Sequence, residues 1–367
     1  IRPNSGIVKT PPPLGLMYIA AFIKKMAAST DIKIVDARRR RLSVSRVGEI
    51  IGQFRPDVVG ITGLHFESKE AHALARTVKS FNRVSSVVLG GPYASSDYKK
   101  ALEDVAVDYC VIGEGEETFY ELIKCITERR PPAGIQGVAY RNKGGLCYQP
   151  RSDYIRDLDS LPHPAWDMIP LEEYFDSKRL SIGNPLQVEV RAVPVFTSRG
   201  CPFGCYYCHD IFGKATRFRS PENVLDELQY LVSEYNVKEI EIIDDVFNLD
   251  RNRAKKICDL IIEKGLKLKI NFGNGLRADI MDEELVDKLK KAGTYRIIYG
   301  IESGSPRMQD IIGKKLNLAR TKEVIKITAN KGISVGGFFM MGFTGETKEE
   351  ILQTIEFAKH SKLHTAS

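Results

Sequence analysis

The stretch Cys201-Pro-Phe-Gly-Cys205-Tyr-Tyr-Cys208 directly follows an apolar, strand-like run, Val193-Pro-Val-Phe-Thr197. It places three thiols within eight residues, with no fourth cysteine nearby. Three such cysteines can hold three irons of a [4Fe–4S] cluster and leave the fourth iron open to a substrate. The loop therefore predicts a reactive cluster rather than one that only stores or passes electrons.

Three other uses of this loop remain open. A zinc site could combine the three cysteines with His209, although zinc ligands usually come as two pairs on distant segments. Cys205-Tyr-Tyr-Cys208-His209 also fits the C-x-x-C-H pattern of haem attachment, which is expected in exported proteins. A disulfide would suit a short secreted scaffold better than a chain of 367 residues.

Length and composition indicate a globular chain with two domains, each long enough to bury a core. Apolar content of 43% and charged content of 28% are ordinary values. No run approaches the roughly 18 consecutive apolar residues of a membrane span, so we expect no membrane partner. The net charge of +7 is scattered except at Arg38-Arg-Arg-Arg41. Such a run is typical of a solvated loop, with nucleic-acid binding as the minority alternative, and we expect no nucleic-acid partner.

The remaining cysteines stand singly in strand or helix patterns, at Cys110, Cys125, Cys147 and Cys258. They are typical of reduced cysteines in a cytosolic protein, which predicts a cytoplasmic location. The first residues, Ile1-Arg-Pro3, resemble the tail of a strand, and Leu363 to Ser367 begin an extended pattern. We therefore expect a natural protein that is longer at both ends.

Residues 1–130 alternate short apolar strands with amphipathic helices, which predicts an α/β fold with a doubly wound, Rossmann-like parallel sheet. Ligands of such sheets bind outside the carboxyl ends of the strands. Here those ends carry glycine-rich turns, which let a backbone approach a ligand closely. The predicted strands are 32–35, 57–62, 87–89 and 108–112, and the predicted helices are 14–26, 47–54, 67–81 and 116–128.

A nucleotide ligand is not indicated. The chain has no G-x-x-x-x-G-K-[ST] loop. The glycine-rich stretch 113–118 carries three glutamates, which would repel a pyrophosphate. The stretch 273–278 imitates a G-x-G-x-x-A fingerprint, but its glycines do not open the following helix.

Residues 131–191 lack this alternation and are predicted to form a small hairpin and a proline-rich linker. From residue 192 to residue 367 the alternation of strand and helix resumes. Five β/α units and a truncated sixth strand predict a partial (β/α)6 TIM-like barrel, whose chemistry would sit at the C-terminal strand ends. Those ends carry Asp244-Asp245, Arg277 and Glu302-Ser303.

The Cys-x3-Cys-x2-Cys loop, with Tyr207 just before its last cysteine, resembles the signature of the radical S-adenosylmethionine (SAM) superfamily. The resemblance implies that Cys201, Cys205 and Cys208 hold a [4Fe–4S] cluster whose open iron chelates SAM. It also implies reductive cleavage of SAM to methionine and a 5′-deoxyadenosyl radical.

The same resemblance assigns contacts to SAM. It places Asp244 and Asp245 at the amino group, Glu302 and Ser303 at the ribose, and Tyr207 at the adenine. Arg277 is predicted from its charge alone as the partner of the SAM carboxylate. The stretch 342–346, after the fifth strand, is expected to border the adenine.

The order of the N-terminal turns resembles the cobalamin-binding domain fused to some radical SAM enzymes. This resemblance covers nearly all of residues 1–130. The motif Asp-x-His-x-x-Gly is absent, so cobalt would lack a histidine from that motif. A degenerate domain that holds no corrin is the alternative. The implied cobalamin contacts are Leu14, Gly15, Thr62, Gly63, Gly90, Gly91, Pro92, Tyr93, Gly113 and Glu114.

Together the resemblances imply a cobalamin-dependent radical SAM enzyme that methylates an unactivated carbon of a small-molecule or peptide substrate. An external one-electron donor of the flavodoxin or ferredoxin type is implied as a partner. Within the family, oxidative ring formation or rearrangement without methyl transfer, as in anaerobic porphyrin-ester cyclases, is the alternative.

Two further classes stay open. A methylthiotransferase acting on tRNA would need a second set of cluster cysteines, and Cys110, Cys125 and Cys147 fall on different predicted elements. A non-enzymatic cobalamin or iron–sulfur sensor would have no need for Asp244, Arg277 and Glu302.

Overall fold

The two runs of alternating strands and helices form separate units. The computed structural model describes residues 1–5, 11–175 and 187–367. Unit 1 comprises Ile1–Arg156 and Ser160–Ile182, and unit 2 comprises Asp157–Asp159 and Gly183–Ser367. The end of the predicted linker, 176–186, lies outside the described residues. Within the described ranges, none of the helices combines the length and apolarity that a bilayer crossing requires.

Unit 1 is built on a five-stranded sheet with the order β1-β2-β3-β4-β5. Strands β1 (Val58–Thr62), β2 (Ser86–Gly90) and β3 (Tyr109–Val111) are parallel. The hairpin of β4 (Val138–Asn142) and β5 (Gly145–Tyr148) adds to β3 in antiparallel orientation. The predicted strand 32–35 does not form. The bridge nearest to it is an isolated one between Arg2 and Asp36, just beyond the segment.

Five helices cover this sheet, and their apolar faces supply its core. The prediction missed α4, because Gly91 and Pro92 resemble a loop; Pro92 instead lies at the start of the helix, where its missing N–H costs nothing. The helices are α1 (Leu14–Met26), α2 (Val44–Phe54), α3 (Ser68–Phe81), α4 (Gly91–Ala101) and α5 (Glu116–Thr127).

Unit 2 contains a six-stranded sheet in which all neighbouring strands are parallel. Its order is β13-β12-β11-β10-β9-β6, so strands that follow one another in the β/α alternation are neighbours. Together with the alternating helices, this order confirms the α/β fold class. The strands are β6 (Ala192–Val195), β9 (Glu239–Ile242), β10 (Lys269–Leu276), β11 (Thr294–Glu302), β12 (Ser334–Phe339) and β13 (Thr365–Ala366).

The helices of unit 2 begin at polar residues whose side chains accept hydrogen bonds from the first turn. Ser220 caps the first of them, and Thr347 and Glu350 form the predicted capping box of the last. A small ribbon of β7 (Ser198–Arg199) and β8 (Arg217–Phe218) lies between β6 and the first helix. The helices are α6 (Pro221–Tyr235), α7 (Arg251–Glu263), α8 (Glu283–Lys291), α9 (Pro306–Ile311), α10 (Leu318–Asn330) and α11 (Lys348–Lys359).

Candidate functional site

The cysteine loop leaves the β7–β8 ribbon through a glycine that no other residue could replace without strain. Gly200 has φ +87°, and a Cβ there would lie 2.5 Å from the Ala215 carbonyl oxygen. Cys201 N–H then donates to Gly213 O at 3.3 Å. The ribbon and this turn therefore fix where the first thiol emerges.

The far side of the loop packs against the segment after α9. Tyr206 N–H donates to Ile312 O at 3.2 Å. Gly313 has φ +71°, and a Cβ at this position would lie 2.5 Å from Gly204 O. The three-cysteine loop is thus held at its start and in its middle by close backbone contacts.

None of the three thiols is part of a disulfide, and Cys208 is exposed while Cys201 and Cys205 are half-buried. Burial raises the pKa of Cys201 and of Cys208, and the nearby Asp245 carboxylate adds to both shifts. The loop itself therefore favours thiols over thiolates, and a bound iron centre would supply the positive charge that thiolate ligands need. Free, accessible thiols of this spacing fit a [4Fe–4S] cluster.

Among the described residues, no three His, Cys, Asp or Glu side chains converge as ligands of a single metal ion would. The thiols of a cluster each bind a different iron and are not expected to converge in that way. The donor set therefore fits the predicted cluster better than a mononuclear zinc site.

The two aspartates after β9 have different environments. Asp244 is 2% exposed, and its carboxylate accepts three hydrogen bonds, from Thr197 N and Oγ1 and from Ser198 Oγ, at 2.5–2.6 Å. Burial raises its pKa, whereas these donors lower it. Asp244 thus ties β9 to the strand that leads into the cysteine loop, and its oxygens are occupied.

Asp245 faces the thiols. Its Oδ1 lies 3.5 Å from His209 Nε2, and its charge acts on Cys201 and Cys208. Burial raises the pKa of Asp245, and His209 counteracts the shift. Of the two aspartates, Asp245 is the one with a carboxylate beside the loop and capacity for a cationic ligand.

Glu302, at the end of β11, has a strained backbone, with φ +67°. A non-glycine residue in this region costs on the order of 1–2 kcal/mol, and such residues concentrate at functional sites. Glu302 Oε1 accepts from Lys314 Nζ at 2.9 Å. Burial and the nearby Glu302 charge both raise the pKa of Tyr207, so the cysteine loop and the end of β11 are close enough to interact.

Tyr207 also packs on the loop after β12. Its ring centroid lies 5.9 Å from that of Phe343, with an interplanar angle of 47°. Two aromatic rings at the edge of the cysteine loop offer a surface for a flat heterocycle such as adenine. This places the predicted adenine contact and stretch 342–346 beside each other.

Two other predicted SAM contacts are engaged elsewhere. Ser303 is fully buried, and its Oγ bonds Thr354 Oγ1 and accepts from Ser305 N, both at 3.2 Å. Arg277 donates to both carboxylate oxygens of Asp279, at 2.8 and 3.1 Å. It also donates to two backbone carbonyls, and its guanidinium lies 3.9 Å from the Phe203 ring centroid.

The predicted cobalamin contacts of unit 1 lie at the carboxyl ends of adjacent parallel strands. Thr62 and Gly90 pair in register at the ends of β1 and β2. Gly91 has φ +79°, and a Cβ there would meet Thr62 Oγ1. Tyr93 N–H donates to Gly63 O at 3.0 Å. The two turns therefore interlock at this edge of the sheet, where Gly63 and Tyr93 are buried and Gly90 and Gly91 are half-buried.

The other predicted contacts differ in exposure. Gly113, with φ +79°, donates its N–H to Ser95 Oγ at 3.0 Å just beyond the end of β3. Gly15 is exposed in the first turn of α1 with open space around its Cα, while Leu14 beside it is buried. Pro92 is half-buried. Glu114 is buried and accepts from Ile155 N at 3.0 Å, so its carboxylate serves the fold.

Sequence reasoning missed Lys314 and His209 as partners of the site carboxylates. Lys314 lies in the connection after α9, a helix that was not predicted, and no local pattern marks it. His209 was considered only as a zinc or haem ligand. Its position directly after Cys208, opposite an acidic strand end, is the one available signal.

Two family models match the chain. Residues 195–358 match the radical SAM superfamily, and residues 7–123 match the B12 binding domain. The first range contains the cysteine loop and the acidic strand ends of unit 2, and the second contains the glycine-rich turns of unit 1.

Curated relatives match over nearly the whole chain. An uncharacterized methyltransferase of Pyrococcus horikoshii is 35% identical, covering 95% of this chain and 73% of its own length. Cytidylyl-2-hydroxyethylphosphonate methyltransferase of Streptomyces wedmorensis is 29% identical, covering 97% and 74%. Anaerobic magnesium-protoporphyrin IX monomethyl ester cyclase of Rubrivivax gelatinosus is 28% identical, covering 95% and 62%.

The fold is also that of a solved structure. The radical SAM methyltransferase TsrM of Kitasatospora setae, with cobalamin and a [4Fe–4S] cluster bound, superposes with a TM-score of 0.80 at 19% identity. The match covers 100% of this chain and 73% of TsrM.

Proposed function

Because this chain belongs to the radical SAM superfamily, in the branch with a B12-binding domain, we propose that it methylates an unactivated carbon of a small-molecule or peptide substrate. Its cofactors are a [4Fe–4S] cluster, SAM and cobalamin. When bound, the cluster and SAM supply radical chemistry and cobalamin supplies a carrier for the methyl group. The observation that carries the proposal is the convergence of the cysteine loop, which includes Tyr207, with Asp245 and Glu302.

In this proposal Cys201, Cys205 and Cys208 hold three irons of the cluster. Asp245, beside the thiols, would accept a hydrogen bond from the SAM amino group, because its carboxylate is close to the loop and only partly engaged. Glu302 retains one carboxylate oxygen beyond its bond to Lys314 and binds the ribose diol. Tyr207 and Phe343 flank the adenine.

Asp244, Ser303 and Arg277 take positioning roles in the same proposal. Their polar atoms are used within the protein, by Thr197 and Ser198, by Thr354 and Ser305, and by Asp279, respectively. Through these hydrogen bonds, each side chain fixes the position of a strand end or a connecting segment beside the site. We therefore expect the open iron, and not Arg277, to bind the SAM carboxylate.

The electron is proposed to come from an external donor of the flavodoxin or ferredoxin type. Radical SAM enzymes require such a donor, and the net charge of +7 favours an acidic protein partner. All seven cysteines are free of disulfides, which supports a reducing, cytosolic location.

The test uses protein reconstituted anaerobically with iron, sulfide and hydroxocobalamin, reduced, and incubated with SAM. A methyltransferase produces S-adenosylhomocysteine in proportion to bound corrin, and 5′-deoxyadenosine from the cluster. A cyclase without methyl transfer would release 5′-deoxyadenosine but no S-adenosylhomocysteine, which would contradict the proposal. Bound corrin with neither product would indicate a sensor.

A further inference from the structure

A row of polar side chains crosses one face of the unit 2 sheet. The register pairs Glu241 of β9 with Pro194 of β6 on one side and with Asn271 of β10 on the other. It also pairs Asn271 with Arg296 of β11, and Arg296 with Ser334 of β12. Because paired residues of neighbouring parallel strands project from the same face, these five side chains share one face of the sheet.

This face is the interior of the partial barrel. The residues that alternate with the row are apolar and at most 4% exposed, as expected of the face that the helices cover; they are Ile240, Ile242, Ile270, Phe272, Ile297 and Val335. The interior of such a barrel is normally filled by branched apolar side chains. A layer with four polar side chains is therefore costly unless its polar atoms have bonding partners.

The Glu241 carboxylate has few partners of its own. In the part of the chain that the structure describes, it takes part in one hydrogen bond, from Asn271 Nδ2 to Oε1 at 3.3 Å. Asn271 is fully buried, and its Oδ1 has no hydrogen-bond partner among the described residues. Glu239, two residues earlier on β9, is different, because its carboxylate accepts from the Tyr295 hydroxyl at 2.7 Å and from two backbone N–H groups.

The surroundings of Glu241 suit a positively charged ligand. Gly273 provides room for the carboxylate, since a Cβ at this position would collide with Glu241 Oε1. Glu241 is half-buried, so part of its side chain remains accessible. Burial raises its pKa to about 7, the Glu239 charge adds to the shift, and the Arg296 charge opposes it. A bound cation would offset the cost of burial and keep the carboxylate ionised.

We propose that Glu241 binds an ammonium group of the substrate in the interior of the barrel. Asn271 is the positioning residue, because its amide holds one oxygen of the carboxylate. This site is separate from Asp245, which lies four residues further along the chain, about 13 Å away for an extended strand. The inference rests on the proposed function, because the ammonium group is assigned to the substrate of that reaction.

The test is the titration of the Glu241 carboxyl in the reconstituted full chain, followed by NMR of glutamate labelled with carbon-13 at the side-chain carboxyl. The Glu241 signal is identified by its absence in Glu241→Gln. Glu263→Gln, at an exposed position of α7, is the matched control and should keep that signal. The cationic probe is n-butylammonium, and 1-butanol is the neutral probe of similar size.

The cationic probe is expected to lower the titration midpoint of Glu241 by about one pH unit at a tenfold excess over its dissociation constant. Butanol is expected to leave the midpoint unchanged. A midpoint that stays fixed at every concentration of n-butylammonium would overturn the proposal. An equal shift with butanol would also overturn it, because the site would then not recognise charge. So would an equal shift with SAM alone, which would assign the carboxylate to the SAM site.

This measurement is independent of the proposed reaction, because it requires neither 5′-deoxyadenosine nor S-adenosylhomocysteine. Both products are assayed separately on the same protein. A shift with n-butylammonium in protein that forms no S-adenosylhomocysteine would support the cation site and contradict only the methyl transfer.

Discussion

At the scale of single residues, the adjacent carboxylates have different roles: Asp244 stabilises the fold, and Asp245 is proposed to bind SAM. We expect Asp244→Asn to destabilise the protein by about 1–3 kcal/mol, because an amide N–H would face donors that now find an acceptor. Asp245→Asn should cost less stability than Asp244→Asn, because the Asp245 carboxylate is less engaged within the protein. It should nevertheless weaken SAM binding by about tenfold, the cost of losing one charged hydrogen bond.

Thermal unfolding and equilibrium binding of SAM to the reconstituted protein measure these two effects. Each variant is the control for the other, since the same substitution is made at two neighbouring positions of the chain. Equal destabilisation by both substitutions, or unchanged SAM affinity in Asp245→Asn, would refute the division of roles.

Glu241, on β9 below these aspartates, gives a prediction for pH. Burial raises the pKa of this carboxyl from 4.5 to about 7, and Glu239 adds to the shift. The folded state therefore binds the proton more tightly than the unfolded chain does. The stabilisation is complete below about pH 4.5 and is lost as the pH rises towards 7. The full span corresponds to about 3 kcal/mol.

Glu241→Gln should remove this dependence, and the variant should be more stable than the wild type at pH 8 by up to about 3 kcal/mol. Chemical denaturation at a series of pH values measures the free energy of unfolding. Glu263→Gln, at an exposed position of α7, is the control and should follow the wild-type curve. Parallel curves for wild type and Glu241→Gln would disprove the assignment.

At the scale of elements, the contact between Gly313 and Gly204 makes the loop after α9 a support for the cysteine loop. Gly313→Ala places a methyl group against the Gly204 carbonyl and strains the backbone, so both stability and iron content should fall. Gly265→Ala is the matched control, because Gly265 also has positive φ, +63°, but nothing lies near its Cα. The control should lose about 1 kcal/mol through strain alone.

Iron per chain after reconstitution, measured with the visible absorbance of the cluster, distinguishes the two glycine variants. Gly265→Ala is expected to keep its full iron content. If Gly313→Ala also reconstituted fully, the loop after α9 would have no part in holding the cysteine loop.

The same scale shows what the sequence could and could not predict. Alternating strands and helices predicted the parallel strands of both units, whereas β4 and β5 add to the sheet of unit 1 in antiparallel orientation. The spacing of three cysteines predicted the loop at the strand edge. Helices α4 and α9 were missed, because Gly91-Pro92 and Ser305-Pro306 look like loops when the N-terminal preference of proline is overlooked. Periodicity does not reveal the six-residue α9, and in α4 the helical geometry is interrupted at Asp97.

The sequence predicted which residues lie at strand ends better than it predicted the hydrogen-bond and ion-pair partners of their side chains. Asp244 and Asp245 stand side by side in the chain, and only the fold shows that Thr197 and Ser198 occupy the first. Arg277 was chosen for its charge, but Asp279, two residues away, already neutralises it. Sequence places a residue at a strand end, whereas tertiary contacts decide whether its polar atoms are free.

At the scale of the whole molecule, the proposed cluster site and the proposed cobalamin site belong to different units. We expect Cys205→Ala to lose iron and SAM cleavage yet to bind cobalamin as the wild type does. Cys147→Ala, in the β4–β5 hairpin, is the control and should retain both cofactors. Iron analysis and corrin absorbance on the same samples provide the measurement. Loss of corrin in Cys205→Ala alone would show that the two sites depend on each other.

The central claim is that the cysteine loop and the acidic strand ends together cleave SAM. Its most direct test is the yield of 5′-deoxyadenosine from anaerobically reconstituted, reduced protein, compared with a variant in which Cys201, Cys205 and Cys208 are all alanine. The predicted result is 5′-deoxyadenosine from the wild type and none from the variant. An iron-loaded wild type that leaves SAM intact, or a triple variant that still cleaves it, would contradict the account.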